Sequence, residues 1–261
     1  MKQPSITRLY KYRACDTYSL NALKNRTGWF AKPTSFNDPF DCAISVSEER
    51  CEESVQVAID LALKHAGKTR DDLLPEQLKV KPEDREIYLK CRQLVSDSLQ
   101  DIGVFCLSEV CDDILMWSHY ADKHGGFCVE YERAPENNLG YMAEPVQYQP
   151  QYPKLAFHDI AGPTPGASID VLWLTKSDHW SYEREWRILQ KPGDKEYQLD
   201  SEVTSVIFGM RMLESEKSMI RHLLRDYPRI KFKQAYKSET HFRLDIVGLA
   251  DTVSERRSKK D

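Results

Sequence analysis

The chain has 261 residues, 41% hydrophobic and 30% charged, the balance of a folded globular protein able to bury an ample core without staples. A net charge of −4 removes any general electrostatic pull toward nucleic acid or an acidic membrane surface. Seven cysteines at irregular spacing, with no CxxC pair, argue against a disulfide framework and a structural zinc site. Residues 1–5 carry no apolar leader and no stretch approaches the roughly 18 apolar residues of a membrane span, so a cytoplasmic protein with no membrane partner is expected.

Residues 9–13 alternate in character and are rich in aromatics, the pattern of a first strand, with Lys11 and Arg13 on one face. Residues 19–24 predict a short helix and 27–31 a second strand. Residues 32–41 hold two prolines and the pair Asn37-Asp38, which predicts a turn with a fixed path. That turn is either a corner anchored by Phe40 or a ligand contact. Residues 47–66 and 83–102 read as helices stopped by Gly67 and Gly103, an α-hairpin inserted at about residues 47–102. Residues 104–107 form a buried strand. Asp112 or Asp113 can cap a helix over 114–121, Gly125-Gly126 ends that segment, and 127–131 is another strand. Residues 134–170 predict a long loop with one strand at 143–148. Further on come strand 203–208, helix 213–227 and strands 230–236 and 242–247. A flexible basic tail covers 251–261. The composite is a single α+β domain over residues 1–250, a mixed, largely antiparallel sheet with flanking helices.

Residues 180–188, Trp-Ser-Tyr-Glu-Arg-Glu-Trp-Arg-Ile, carry the most chemistry. As a strand, this run places Ser181, Glu183, Glu185 and Arg187 on one face, with Trp180, Tyr182, Trp186 and Ile188 on the other. Two carboxylates in a row, backed by rings, suit stabilisation of a developing positive charge; the plainer reading is a solvated salt-bridge ladder. On the helix over 114–121, Trp117 and Tyr120 share a face that can stack on a planar heterocycle or fill the core. His119 and His124 are five residues apart, off the helical spacing of a metal pair. Asp38, Asp41, Glu183 and Glu185 offer an alternative, a metal-dependent nuclease or hydrolase. A third reading is a non-catalytic ligand-sensing or interaction domain.

Taken in order, Leu9-Tyr10-Lys11-Tyr12-Arg13, Phe36-Asn37-Asp38-Pro39-Phe40-Asp41, Cys106-Leu107-Ser108-Glu109, Met116-Trp117-Ser118-His119-Tyr120-Ala121 and Glu183-Arg184-Glu185-Trp186-Arg187 resemble a widespread bacterial family of unknown function. A weaker resemblance, of order and residue type, is to ADP-ribosyltransferases: Arg13 early, Tyr120 in the middle, Glu183-x-Glu185 late. That resemblance implies an ADP-ribosyltransferase-like fold and NAD as substrate. It also implies a macromolecular acceptor, or NAD hydrolysis, and a place in phage defence or a toxin system. It implies Glu185 as the catalytic carboxylate, with Glu183 in support and Tyr120 stacking on nicotinamide. The dinucleotide would be held by residues among Arg13, Tyr10, Asn37, Asp38, Trp117, His119 and Arg187.

Overall fold

The structure, a computed structural model, describes residues 2–43, 45–46, 56, 59–60, 63–64, 66–72, 93, 101–155 and 171–249. The strands are β1 (Arg8–Arg13), β2 (Thr27–Phe30), β3 (Ser45–Val46), β4 (Gly103–Ser108), β5 (Phe127–Glu132), β6 (Glu144–Pro145), β7 (Gln147–Gln149), β8 (Lys154–Leu155), β9 (Thr175–Ser177), β10 (Glu185–Gln190), β11 (Lys195–Gln198), β12 (Val203–Phe208), β13 (Lys231–Lys237) and β14 (Leu244–Gly248). The α-helices whose bounds fall within the described residues are α1 (Thr17–Asn25), α2 (Ile114–Tyr120), α3 (Asn138–Met142) and α4 (Glu214–Leu223), and residues 171–173 are helical as well.

Eight strands make the main sheet in the order β14-β13-β12-β5-β1-β4-β10-β6. Only β12 and β13 run parallel, so the sheet is mixed and mostly antiparallel, as expected. Strand alternation sorts its two faces. Leu9, Phe105, Leu107, Phe127, Val129, Trp186, Ile188, Val206 and Phe208 build one core, which Leu23 of α1 and Ile220 of α4 close. Tyr12, Cys128, Ile207 and Ala235 build the other, under Met116 and Trp117 of α2. Each fully buried Leu, Val, Ile or Phe among them contributes about 1.5–3 kcal/mol by leaving water. Among the described residues no helix is long and apolar enough to cross a membrane.

The sheet is two halves with a seam. β1 pairs with β5 over its full length, and β4 pairs with β10 over its full length. β1 and β4 themselves pair only at Tyr10 and Ser108, then part. Lys11 spans the gap, its Nζ donating to the Cys106 carbonyl at 2.7 Å.

Several expectations need correction. Residues 180–188 are not one strand: Asp178–Glu183 is a 3₁₀ helix, Arg184 takes the left-handed conformation at φ 43°, and only Glu185 onward is β10. The 143–148 strand is split into β6 and β7, and residues 138–142 of the expected loop form α3. α4 ends at Leu223 rather than at 227. Strands β9 and β11 were not anticipated. The expected helical hairpin lies almost wholly outside the described residues, and the basic tail entirely so.

Candidate functional site: a cavity at the sheet seam

A cavity of about 490 Å³ opens where β1 and β4 separate. Its walls include Tyr10, Lys11 and Arg13 of β1, Cys106 and Ser108 of β4, Tyr18 of α1 and Trp29 of β2. Asn37 of the Asn-Asp-Pro-Phe turn and Asp41 just after it, His119 and Tyr120 of α2, and Lys176, Glu183 and Glu185 also line it.

One end of the cavity is a buried ion network. Arg187 is 0% exposed and holds Glu185 with two bonds, Nε to Oε1 at 2.8 Å and Nη2 to Oε2 at 2.9 Å. The same guanidinium donates to Asp41 Oδ2 at 2.6 Å and to the Trp173 carbonyl at 2.7 Å. Lys176 Nζ sits among three carboxylates, 2.5 Å from Glu183, 3.0 Å from Glu185 and 3.4 Å from Asp41. Tyr120 donates its hydroxyl to Glu183 Oε1 at 2.6 Å, and Asn37 Nδ2 lies 3.5 Å from that hydroxyl. Three carboxylates against two cations leave one negative charge when all are ionised.

Local structure places these groups. Asp113 accepts from the Leu115 and Met116 amides and starts α2, whose last residue is Tyr120. The left-handed turn at Arg184 lets Glu183 and Glu185 converge on one lysine although they lie on different elements. Ser108 Oγ pins the turn by donating to the Glu183 carbonyl at 2.6 Å, and the Glu109 amide donates to the Arg184 carbonyl at 3.1 Å. The Glu185 amide donates to the Tyr148 hydroxyl at 2.8 Å.

Protonation is set by burial against pairing. Burial pushes the Glu185 carboxyl up, but Arg187 and Lys176 outweigh it and hold the group below the usual carboxylate range. For Glu183 burial wins over Lys176, and the carboxyl sits above its ordinary value, with the Glu185 charge adding to the rise. Burial and then Glu183 push the Tyr120 hydroxyl up, so it stays a proton donor. Burial also pushes the Cys106 thiol up, which argues against a nucleophilic thiolate there.

The other end is basic. Arg13 is 7% exposed, lies beside the Tyr131 hydroxyl, and has no hydrogen-bond partner at Nε or Nη2. Burial and the neighbouring Arg13 charge pull the Lys11 ammonium down, partly countered by Cys106, Glu185 and Glu183.

Of the expected site residues, Glu183, Glu185, Tyr120, Arg13, Tyr10, Asn37 and His119 all line this cavity. Arg187 lies behind it as the partner of Glu185. Trp117 does not reach it: its ring is wholly buried, packs edge-on against Tyr12 at 5.3 Å and donates Nε1 to the Cys111 carbonyl. Asp38 faces away from the cavity, accepting from the Phe40 amide at 2.9 Å. Lys176 was missed, because a lysine in a three-residue strand between polar neighbours carries no sequence signal. Among the described residues no cluster of three or more His, Cys, Asp or Glu has the arrangement of a metal site.

Residues 116–188 match the family described as Protein of unknown function (DUF2971). The matched DUF2971 span runs from α2 through Ile188 in β10. It takes in Tyr120, Lys176, Glu183, Glu185 and Arg187, whereas β1 and the Asn-Asp-Pro-Phe turn precede it. No curated protein and no solved structure matches the chain.

Proposed function

We propose that the seam cavity binds NAD and that the protein breaks the bond between nicotinamide and ribose, passing ADP-ribose to a macromolecule or to water. One observation carries the reading: a carboxylate pair and a buried guanidinium with unpartnered nitrogens line the same cavity. Arg13 and Lys11 would face the pyrophosphate, and Tyr120, Tyr10 or Trp29 the rings. The scissile electron pair leaves with nicotinamide, and the ribose carbon gains oxocarbenium character. Glu185, held ionised, stabilises that charge. Glu183, with its raised pKa, takes the proton that the attacking hydroxyl or water gives up. The metal-hydrolase alternative has less support, because Lys176 already fills the space among Asp41, Glu183 and Glu185 that a divalent ion would take.

The test is nicotinamide release from NAD with bacterial lysate as acceptor source, for wild type and Glu183→Gln. Release by wild type, lost in the variant, is expected. No release by a folded wild-type protein would overturn the reading, and cleavage restored by magnesium after EDTA treatment would support the metal-dependent one.

A further inference from the structure

The Asn37-Asp38-Pro39-Phe40-Asp41 turn is a partition. Asn37 and Asp41 face the seam cavity, while Asp38 and Phe40 face a second cavity of about 380 Å³ on the other side. Among the described residues Lys176 is the one that lines both. The second cavity has aromatic walls: Phe40 and Tyr152 are 64% and 47% exposed, and Trp180 is half-buried beside them. Its carboxylate is that of Asp38, 7% exposed, in a lining that also holds Gln149, Lys176, Ser177 and His179. Asp38 Oδ1 accepts from the Phe40 amide, and among the described residues no cation pairs with Asp38.

A carboxylate withdrawn from water is costly unless a cation meets it. Two partly open aromatic faces beside such a carboxylate attract a cation through the ring quadrupole. The cations already present do not serve. The Lys176 ammonium is turned into Asp41, Glu183 and Glu185, so three carboxylates already surround its charge. His179 is exposed and lies 3.3 Å from Asp178.

We propose that this second cavity is a subsite for an alkyl guanidinium or ammonium group, with Asp38 as its counter-ion and Phe40 and Tyr152 as its aromatic walls. Gln149 lines the same cavity; its Nε2 donates to the Gln151 carbonyl at 2.8 Å, which leaves its amide oxygen to accept from the ligand. The subsite goes beyond the NAD reading and requires none of its chemistry.

The experiment is calorimetric titration of the full chain, without NAD, using agmatine, cadaverine and neutral butylurea. Saturable binding of agmatine or cadaverine but not butylurea is expected. Stronger agmatine binding would assign a guanidinium, and stronger cadaverine binding an ammonium. Asp38→Asn keeps an oxygen for the Phe40 amide and should weaken binding about tenfold or more, the loss expected for a charge-assisted bond. Tyr152→Ala, at an exposed site, should weaken it a few-fold. No saturable binding of either cation, equal binding of butylurea, or unchanged affinity in Asp38→Asn would overturn the proposal. Nicotinamide release is measured separately, so failure of the subsite and failure of the NAD reading are distinguishable.

Discussion

At the scale of single residues, Arg187 is the keystone of the ion network. It is fully buried and bonds two carboxylates and a carbonyl. Removing one partner from a buried ion pair costs more than the pair contributes, because the remaining charges stay out of water. Arg187→Met should therefore destabilise by about 3–5 kcal/mol, read from urea midpoints at constant m-value. Lysine at that position cannot repeat the bidentate bond to Glu185, so Arg187→Lys should recover only part of the loss. Glu185 gives a pH signature. Its folded pKa lies below the unfolded value, so its stabilisation is present above the ordinary carboxylate range and is lost as pH falls toward the folded pKa. Urea midpoints of wild type should fall on acidification below about pH 4.5, and Glu185→Gln should show a shallower fall from a lower start. Equal slopes would mean that Glu185 does not carry the acid sensitivity. Glu183 behaves in the opposite sense, with a raised pKa that the Tyr120 hydrogen bond pulls down. If Glu183 is the base in nicotinamide release, Tyr120→Phe should move the acid limb of the pH–rate profile to higher pH. An unmoved limb would separate Tyr120 from proton transfer.

At the scale of elements, periodicity made much of the fold legible. β1 reads as a strand by its aromatic alternation, β5 and β12 as short runs buried on both faces, and α2 announces itself by an N-cap aspartate and an apolar pair. Asp113→Ala should cost about 1 kcal/mol and fray the helix that presents Tyr120, visible as faster amide exchange at Leu115 and Met116. The Glu183–Glu185 feature was legible as a carboxylate pair but not in its geometry. Period-two spacing suggested one strand, yet Arg184 adopts a left-handed conformation that a non-glycine residue does not advertise. The two carboxylates still converge, through a turn rather than a shared face. Arg187, two residues on in β10, stands on the face the spacing gave it, whereas Asp41 reaches the pair from a distant segment and Lys176 from β9, and one sequence carries no trace of those two contacts. Gly126 is the reverse case, a residue whose type matters through close approach. A Cβ there would stand 2.1 Å from the Arg13 carbonyl, so Gly126→Ala must push the α2–β5 turn away from the end of β1.

At the scale of the whole molecule, the seam between β1 and β4 sets stability against function. A sheet that paired these strands along their length would be continuous, and it would have no cavity. Parting them leaves the Arg13 guanidinium buried with two nitrogens unpartnered. A buried donor without a partner costs about 1–3 kcal/mol, more when charged, so the apo protein bears that cost at Arg13. Arg13→Met preserves much of the packing and removes the charge. If Arg13 serves a ligand, this variant should be as stable as wild type or more so in the absence of ligand. It should also lose the rise in melting temperature that pyrophosphate or NAD bound at the seam would produce in the wild-type protein, a rise that would follow ligand concentration over Kd. If Arg13 instead holds the fold together, the apo variant should melt well below wild type. The two measurements, apo stability and ligand-induced shift, move in opposite directions under a binding role and fall together under a structural one. One pair of melting curves therefore decides whether the seam was opened for an anion.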